Sequence, residues 1–264
     1  MGIMNDNFVT VKLQGGLGNY LFQLSAAIFI SIRDEKKLII DELDIVNIHS
    51  NINIYKENFF KNVKFSSLVD YQIFNEESFY YKEIPKIENS IKLIGYFQSE
   101  KYFKDIRPYI LSLFEMNNDT SSYLDKKYLK NIKMENTCSI HVRRGNYLNK
   151  VDWHPVLPIE YYKNATKFFD NETHFLIFSD DIPWCKENFN FLKNIIFIED
   201  NLDYQDLYLM SKCKNNIIAN SSFSWWGAWL NQNEEKKIIC PNLWFGPSGF
   251  KDLHDLRPFN WIKI

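Results

Sequence analysis

A chain of 264 residues is long enough to bury the core of one large domain or of two smaller ones. Its hydrophobic share of 45%, charged share of 24% and formal net charge of -2 are ordinary for a globular protein and argue against a nucleic-acid binder, which usually carries a basic face. The start of the chain lacks the pattern of a secretory signal, and no apolar stretch is long enough to span a bilayer. The sequence therefore predicts a cytoplasmic protein that can touch a membrane at its surface.

The first half of the chain reads as a strand, a glycine loop, a helix and a second strand. Its predicted strands are residues 9–13, 37–40 and 91–95, and its predicted helices are residues 20–32 and 99–114. Pro108 is expected to kink or restart the second helix. Residues 43–90 receive no assignment, and the polar residues 117–122 are the best linker candidate.

Strands and helices alternate regularly in the second half. The predicted strands are residues 137–142, 174–178, 195–198, 216–219 and 237–240, and the predicted helices are residues 158–169, 183–189, 204–213 and 223–230. This alternation predicts α/β domains, each with a parallel sheet covered on both faces. We expect two Rossmann-like domains that face each other across a cleft, with boundaries at 1–120 and 121–264. The last segment of the chain can pack back on the first domain.

A glycine-rich loop follows the first predicted strand. Gly16 and Gly18 would let the backbone approach a ligand closely and expose N–H groups. A dinucleotide fingerprint needs a third glycine where Leu21 stands, and the Gly-Lys-Ser/Thr of a P-loop is absent. A tight turn without a ligand explains this segment as well as a binding loop does.

Two arginines directly follow the predicted strand at residues 137–142. Guanidinium groups are permanently charged and grip phosphate in a bidentate manner, and ligands of parallel sheets bind beyond the carboxyl ends of the strands. Alternation places Arg143 on the same side as His141, so one arginine can face the ligand while Arg144 braces it. The alternative is a surface arginine pair bonded to nearby carboxylates. The position after a core strand favours an anion site.

Serines and acids follow two other predicted strands. Hydroxyl and N–H groups at a helix start form an anion site, so phosphate contact is predicted for residues 221–224, with helix capping by Ser222 as the alternative. The tryptophans 225 and 226 are predicted to fill the core. Asp180 could bond a ribose hydroxyl or a base edge, whereas Asp181 could simply cap a helix.

The usual sequence signals of a bound metal ion are missing. The chain has no D-x-D sequence, and no spacing of His, Cys and Asp suggests a zinc site. If the predicted anion site binds a diphosphate, arginines and a helix terminus would have to neutralise it without a metal ion. The four cysteines form no C-x-x-C pair, and they are predicted to be buried, reduced thiols.

Taken together, the motifs resemble the α-1,2-fucosyltransferases of glycosyltransferase family 11. The resemblance runs in order through residues 15–19, 96–99, 141–145, 156–158, 161–162, 178–181, 210–213 and 220–228. It implies a GT-B-like fold, GDP-β-L-fucose as the donor, inversion at the anomeric carbon and no required metal or other cofactor. It also implies an acceptor oligosaccharide ending in β-galactose, such as an O-antigen or capsule repeat unit, which can be lipid-linked at the cytoplasmic membrane face.

The resemblance also implies roles by position. Arg143 would bind the β-phosphate and stabilise the departing GDP. The other implied contacts to the donor are Gly16, Gly18, Asn19 on the opposite domain, His141, Arg144, Asp180, Ser221, Ser222, Phe223 and Ser224. His154 is a secondary catalytic candidate near the acceptor.

Two positions depart from the family pattern. Tyr20 stands where glutamine is usual, and Asn146 stands where the family usually has aspartate. Asparagine cannot accept a proton as a general base, so the chain would be slow if that aspartate is the base, and unaffected if it only orients the arginines. The rival functions are a catalytically weak or inactive sugar-nucleotide or glycan-binding protein, and a transferase with a different donor or linkage. A nicotinamide enzyme is disfavoured by the broken fingerprint.

Overall fold

A computed structural model describes residues 7–45, 52–57, 60, 63–130 and 136–264. The chain forms two compact units. Unit 1 comprises Met1–Met116 and Asp252–Pro258, and unit 2 comprises Asn117–Lys251 and Phe259–Ile264. Among the described residues, no helix is both long and apolar enough to cross a bilayer.

Unit 1 is built on a parallel sheet of five strands. The strands are β1 (Phe8–Val11), β2 (Lys37–Asp41), β3 (Lys64–Ser66), β4 (Gln72–Asn75) and β5 (Ile91–Ile94), and the helices are α1 (Leu17–Arg33), α2 (Ile52–Glu57) and α3 (Arg107–Leu113). The strand order is β3-β2-β1-β5-β4, with β1 at the centre. The apolar helix α1 is buried along most of its length, as expected for a helix that covers a parallel sheet.

The predicted helix over residues 99–114 is wrong in its first half. Glu100–Tyr102 and Lys104–Ile106 form short 3-10 turns, and only α3 is α-helical. Pro108 lies in the first turn of α3, where a backbone N–H would have no partner within the helix. Proline therefore costs no hydrogen bond here, and a new helix starts at this point, as predicted. The described part of residues 43–90, left unassigned by the sequence, contributes α2, β3 and β4.

Unit 2 is built on a parallel sheet of six strands. The strands are β6 (Thr137–Val142), β7 (His174–Ser179), β8 (Ile195–Phe197), β9 (Asn215–Ile217), β10 (Ile238–Cys240) and β11 (Ile262–Lys263), and the helices are α4 (Asn118–Leu124), α5 (Ile159–Thr166), α6 (Ile182–Asn188), α7 (Asp203–Lys212) and α8 (Ser222–Trp229). The strand order is β11-β10-β9-β6-β7-β8. Since all pairings between described strands of both sheets are parallel, the predicted α/β class is confirmed.

The linker predicted at residues 117–122 is wrong, because α4 occupies it. The Asn117 side chain accepts a hydrogen bond from the Thr120 N–H at 2.9 Å and caps this helix. Polar residues of this kind are typical both of linkers and of helix N-termini, and composition alone does not separate the two. Pro158, predicted in the first turn of a helix, instead lies at the N-cap just before α5.

The core of unit 2 takes up the residues that the sequence assigned to it. Trp225 and Trp226 are fully buried on α8, with their ring centroids 5.3 Å apart. All four cysteines are buried thiols that form no disulfide bond. The predictions of core tryptophans and of reduced, buried thiols are therefore confirmed.

Candidate functional site

Three neighbouring strands of unit 2 bring the predicted polar motifs to one edge of the sheet. In this sheet β6 lies between β9 and β7, and Val142 at the end of β6 pairs with Ser179 at the end of β7. The arginine loop (residues 143–147) follows β6, the acidic pair follows β7, and the serine segment (residues 220–224) follows β9. This carboxyl edge is where ligands of open parallel sheets bind.

The guanidinium group of Arg143 is held by two polar partners. Its Nη1 lies 3.0 Å from Oδ2 of Asp180, and its Nη2 donates a hydrogen bond of 2.7 Å to Oδ1 of Asn146. About a third of the side chain (33%) stays exposed. Arg143 is therefore oriented by the protein and still accessible to an anion.

Arg144 is tied more closely to its surroundings. Its Nε donates to Oδ2 of Asp181 at 2.9 Å, and its guanidinium carbon lies 4.1 Å from the centre of a Trp184 ring. Its backbone N–H donates to Oδ1 of Asp180 at 2.9 Å. The side chain of Arg144 is only 16% exposed, against 33% for Arg143, so Arg144 braces the loop and Arg143 presents the charge.

The two acids are engaged inside this site. Asp180 contacts both arginines, through the side chain of Arg143 and the backbone N–H of Arg144. Its predicted contact with a nucleoside stays a prediction. Asp181 caps α6 by accepting a hydrogen bond of 3.2 Å from the Trp184 N–H, which is the simpler of the two alternatives given by the sequence. A Cβ at Gly145 would lie 2.2 Å from Oδ2 of Asp180, so a larger residue there would displace this carboxylate. The pairing of both arginines with carboxylates also matches the alternative left open by the sequence.

His141 lies beneath the arginine loop at the end of β6. It is 5% exposed, its Nδ1 has no hydrogen-bond partner among the described residues, and its ring centre lies 5.4 Å from that of Phe223. Burial, with a smaller contribution from the charge of Arg143, lowers the pKa of His141 to about 3. His141 is therefore neutral at physiological pH and packs the base of the arginine loop against the serine segment.

The serine segment forms the start of α8. Ser221 is the N-cap, and its hydroxyl accepts a hydrogen bond of 3.3 Å from the Phe223 N–H. Ser222 is the first helical residue, so the capping role considered for it belongs to Ser221. The Ser224 hydroxyl donates to the Ser221 carbonyl at 3.4 Å. The N-terminus of α8, with its partial positive charge, therefore lies at the same sheet edge as the arginine loop.

Tyr147 joins the arginine loop to the serine segment, a role that sequence reasoning missed. Its hydroxyl donates a hydrogen bond of 3.2 Å to the backbone carbonyl of Asn220. Its ring stacks on that of His154, with the centroids 4.6 Å apart and the planes at 14°. Burial, followed by the charges of Lys150 and Arg143, lowers the pKa of His154. The only sequence signal for Tyr147 is its place three residues after Arg144.

The remaining predicted residues belong to unit 1. Gly16 is the N-cap of α1, so Gly18 and Asn19 lie in its first turn, whereas the sequence predicted a loop up to residue 19. The Asn19 Oδ1 accepts a hydrogen bond of 2.8 Å from Gln98. Gly15 has a φ of 91°, and a Cβ there would lie 2.2 Å from the Asn19 amide nitrogen.

Two buried or half-buried side chains fix the loops around Asn19, and sequence reasoning missed both of them. Gln23 bonds the backbone of Gln14 in both directions and donates to the Gly95 carbonyl at 3.2 Å. Glu76 accepts from the N–H groups of Tyr96 at 2.7 Å and of Phe97, whose φ is 52°. These bonds link the loops that follow β1, β4 and β5.

In the part of the chain that the structure describes, no three His, Cys, Asp or Glu side chains are grouped to hold a metal ion. The predicted independence from metals stays a prediction.

Comparison with known proteins adds the following relatives. The chain is 32% identical to the O-antigen biosynthesis glycosyltransferase WbnK of Escherichia coli, over 96% of this chain and 99% of that protein. It is also 32% identical to an alpha-1,2-colitosyltransferase of Escherichia coli, over 98% and 99%. The galactoside 2-alpha-L-fucosyltransferase SEC1 of Bos taurus is 26% identical over 57% of this chain and 44% of that protein.

The fold also has relatives among solved structures. Fucosyltransferase NodZ from Bradyrhizobium superposes with a TM-score of 0.56 at 12% identity, over 84% of this chain and 93% of NodZ. This likeness confirms the GT-B-like fold class. A family model described as Glycosyl transferase family 11 matches residues 3–264. The resemblance found in the sequence is thus confirmed, and the chain is a glycosyltransferase that belongs to family 11.

Proposed function

We propose that this glycosyltransferase moves L-fucose from GDP-β-L-fucose to the 2-hydroxyl of a terminal β-galactose, with inversion and without a metal ion. The observation that carries the proposal is the arginine loop, in which Arg143 is oriented by Asp180 and Asn146 and still one-third exposed (33%). The names of two relatives support the proposal: one is an O-antigen biosynthesis glycosyltransferase, and the other is a galactoside 2-alpha-L-fucosyltransferase. A lipid-linked acceptor at the cytoplasmic face of the membrane completes the proposal.

In the proposed reaction, the acceptor oxygen bonds to the anomeric carbon as the bond to the diphosphate breaks, the bonding electrons leave with GDP, and the hydroxyl proton is released to water. Negative charge then grows on the leaving GDP, and groups that bind this charge more strongly in the transition state accelerate the step. Arg143 supplies a full positive charge, and the N-terminus of α8 supplies a partial one. Arg144 contributes through the brace it forms with Asp181 and Trp184.

Asn146 is proposed to orient Arg143 instead of acting as a base. Its Oδ1 accepts the hydrogen bond from Nη2 of Arg143, which an aspartate at this position could equally accept. The chain therefore does not need an acid at position 146 to keep Arg143 in place. This geometry favours an active transferase over an inactive binding protein.

A second candidate function is transfer of colitose, because one relative at 32% identity carries that activity in its name. Colitose is L-fucose without its 3-hydroxyl, so the two donors share the GDP portion and the reacting carbon. The contacts proposed for Arg143 and α8 concern the diphosphate and serve both sugars equally.

The test is a donor screen with a β-galactoside acceptor and mass detection of the product. Fucosyl and colitosyl products differ by one oxygen atom, so a single assay tells them apart. We expect turnover with GDP-fucose, and we expect Arg143→Ala to lower it by about 100-fold, as for other groups that stabilise transition-state charge. Lys186→Ala is the matched control, since it removes an exposed cation of unit 2 that pairs with Glu199. Turnover with GDP-colitose alone, or near-normal activity of Arg143→Ala, contradicts the proposal.

A further inference from the structure

We propose that Tyr147 is a positioning residue that supports Arg143 with its ring and fixes the serine segment with its hydroxyl. The inference rests on the proposed function and explains how the two positively charged parts of the proposed diphosphate site keep their positions relative to each other. Arg143 is one of these parts, and the N-terminus of α8 is the other.

The ring of Tyr147 lies against the arginine that presents the charge. The guanidinium carbon of Arg143 is 5.2 Å from the ring centre, within the range of a cation–π contact. Tyr147 is itself 9% exposed, and its ring is stacked on His154, so it cannot swing away from this position freely. The ring therefore gives the one-third-exposed side chain of Arg143 a fixed apolar support that neither Asp180 nor Asn146 provides.

The hydroxyl of the same residue reaches the serine segment. It donates to the Asn220 carbonyl, one residue before the N-cap Ser221. The amide nitrogen of Asn220 in turn donates to the carbonyls of Pro155 at 2.9 Å and Trp244 at 3.0 Å. The turn into α8 is thus fixed from three directions, and Tyr147 is the member that also touches Arg143.

The chemical state of the two stacked rings suits this role. Burial raises the pKa of Tyr147 to about 12, so its hydroxyl keeps the proton that it donates. The lowered pKa of His154 favours the neutral imidazole, which avoids a second cation beside Arg143. Tyr147 therefore couples the orientation of the Arg143 guanidinium group to that of the N-terminus of α8.

Two substitutions separate the two functions of Tyr147. Tyr147→Phe keeps the ring and removes the hydroxyl, whereas Tyr147→Leu removes both. Tyr128→Phe is the matched control, because Tyr128 in the same unit also donates its hydroxyl to a backbone carbonyl, that of Glu199 at 2.7 Å. The measurements are the Kd of GDP by calorimetry, kcat and KM with the active donor, and the midpoint of thermal unfolding.

We expect Tyr147→Phe to raise the Kd of GDP by about fivefold, the usual effect of one neutral hydrogen bond, with little change in kcat. Tyr147→Leu should in addition lower kcat by about tenfold or more, because Arg143 loses its support in the transition state. Tyr128→Phe should change only the unfolding midpoint.

A purely structural role predicts a different pattern, in which all three variants lose thermal stability and the folded proteins keep the wild-type kcat and Kd. That pattern overturns the inference. If Tyr147→Leu fails to fold, the GDP affinity of Tyr147→Phe decides the question, and a wild-type value overturns the inference. A wild-type protein that binds GDP but uses another donor contradicts the proposed function alone, whereas a wild type that binds no GDP overturns both.

Discussion

His141 illustrates how a single residue at the site responds to burial and to a neighbouring charge. Its imidazole is 5% exposed and lies near Arg143, and both effects penalise the protonated form. In the unfolded chain the same side chain titrates with a pKa of about 6.5. Between that value and the folded-state pKa of about 3, the unfolded state binds more protons than the folded state. Stability contributed by neutral His141 is therefore present above the unfolded pKa and is lost as the pH falls.

At the residue scale, we expect His141→Gln to flatten the acid dependence of stability. When the pH is lowered from 7 to 5, the free energy of unfolding should fall by about 2 kcal/mol more in the wild type than in the variant, because glutamine does not titrate. Urea unfolding at several pH values measures this difference, and the other titrating groups are common to both proteins. Equal acid sensitivity of the two proteins contradicts the burial argument.

At the scale of elements, α8 combines a buried body with a polar start. Trp225, Trp226 and Trp229 pack against one another and are at most 4% exposed, so burial keeps the helix in place whatever its first residues are. The start of the helix is set instead by Ser221, whose hydroxyl accepts a hydrogen bond from the N–H of Phe223. This division explains how serines next to three tryptophans form a polar helix start without weakening the core.

The element-scale prediction is that Ser221→Ala lowers the free energy of unfolding by about 1 kcal/mol, the usual effect of losing an N-cap side chain. Ser222→Ala is the matched control, since its position is already helical and half-buried. Its expected effect is within about 0.5 kcal/mol. Denaturant titration of the three proteins provides the comparison, and equal losses in both variants would show that Ser221 does not act as the cap.

At the scale of the whole molecule, each unit carries a parallel sheet whose carboxyl edge bears polar loops. In unit 2 the strand order β9-β6-β7 places the serine segment, the arginine loop and the acidic pair side by side. In unit 1 the loops after β1 and β5 are joined through Gln23, and Asn19 is joined to Gln98. In the proposed reaction, side chains and a helix terminus of unit 2 would supply the required positive charge.

We therefore expect turnover to be independent of divalent metal ions. Arg143 and the N-terminus of α8 would bind the charge of the leaving diphosphate, so a metal ion would have no separate part to perform. The measurement compares kcat of the protein as purified, in excess EDTA, and with Mg²⁺ or Mn²⁺ added back. Activity that is lost in EDTA and restored by either ion contradicts this prediction.

The sequence by itself determined the α/β class, the family and the position of each polar motif after a strand. These features are local: the alternation of apolar segments reports burial, and the motifs are contiguous in the chain. Where local signals were ambiguous the prediction was wrong, as at residues 117–122, whose polar composition fits a capped helix as well as a linker.

Only the tertiary structure decided which side chains meet. The pairs Arg143–Asp180, Arg144–Trp184 and Tyr147–Asn220 join residues separated by 37, 40 and 73 positions, and they exist because β9, β6 and β7 are neighbours. Strand order is set by the packing of the entire unit, and no single segment of the sequence contains it. For the same reason the sequence could place two arginines at a sheet edge, whereas the fold selected Arg143 as the exposed one.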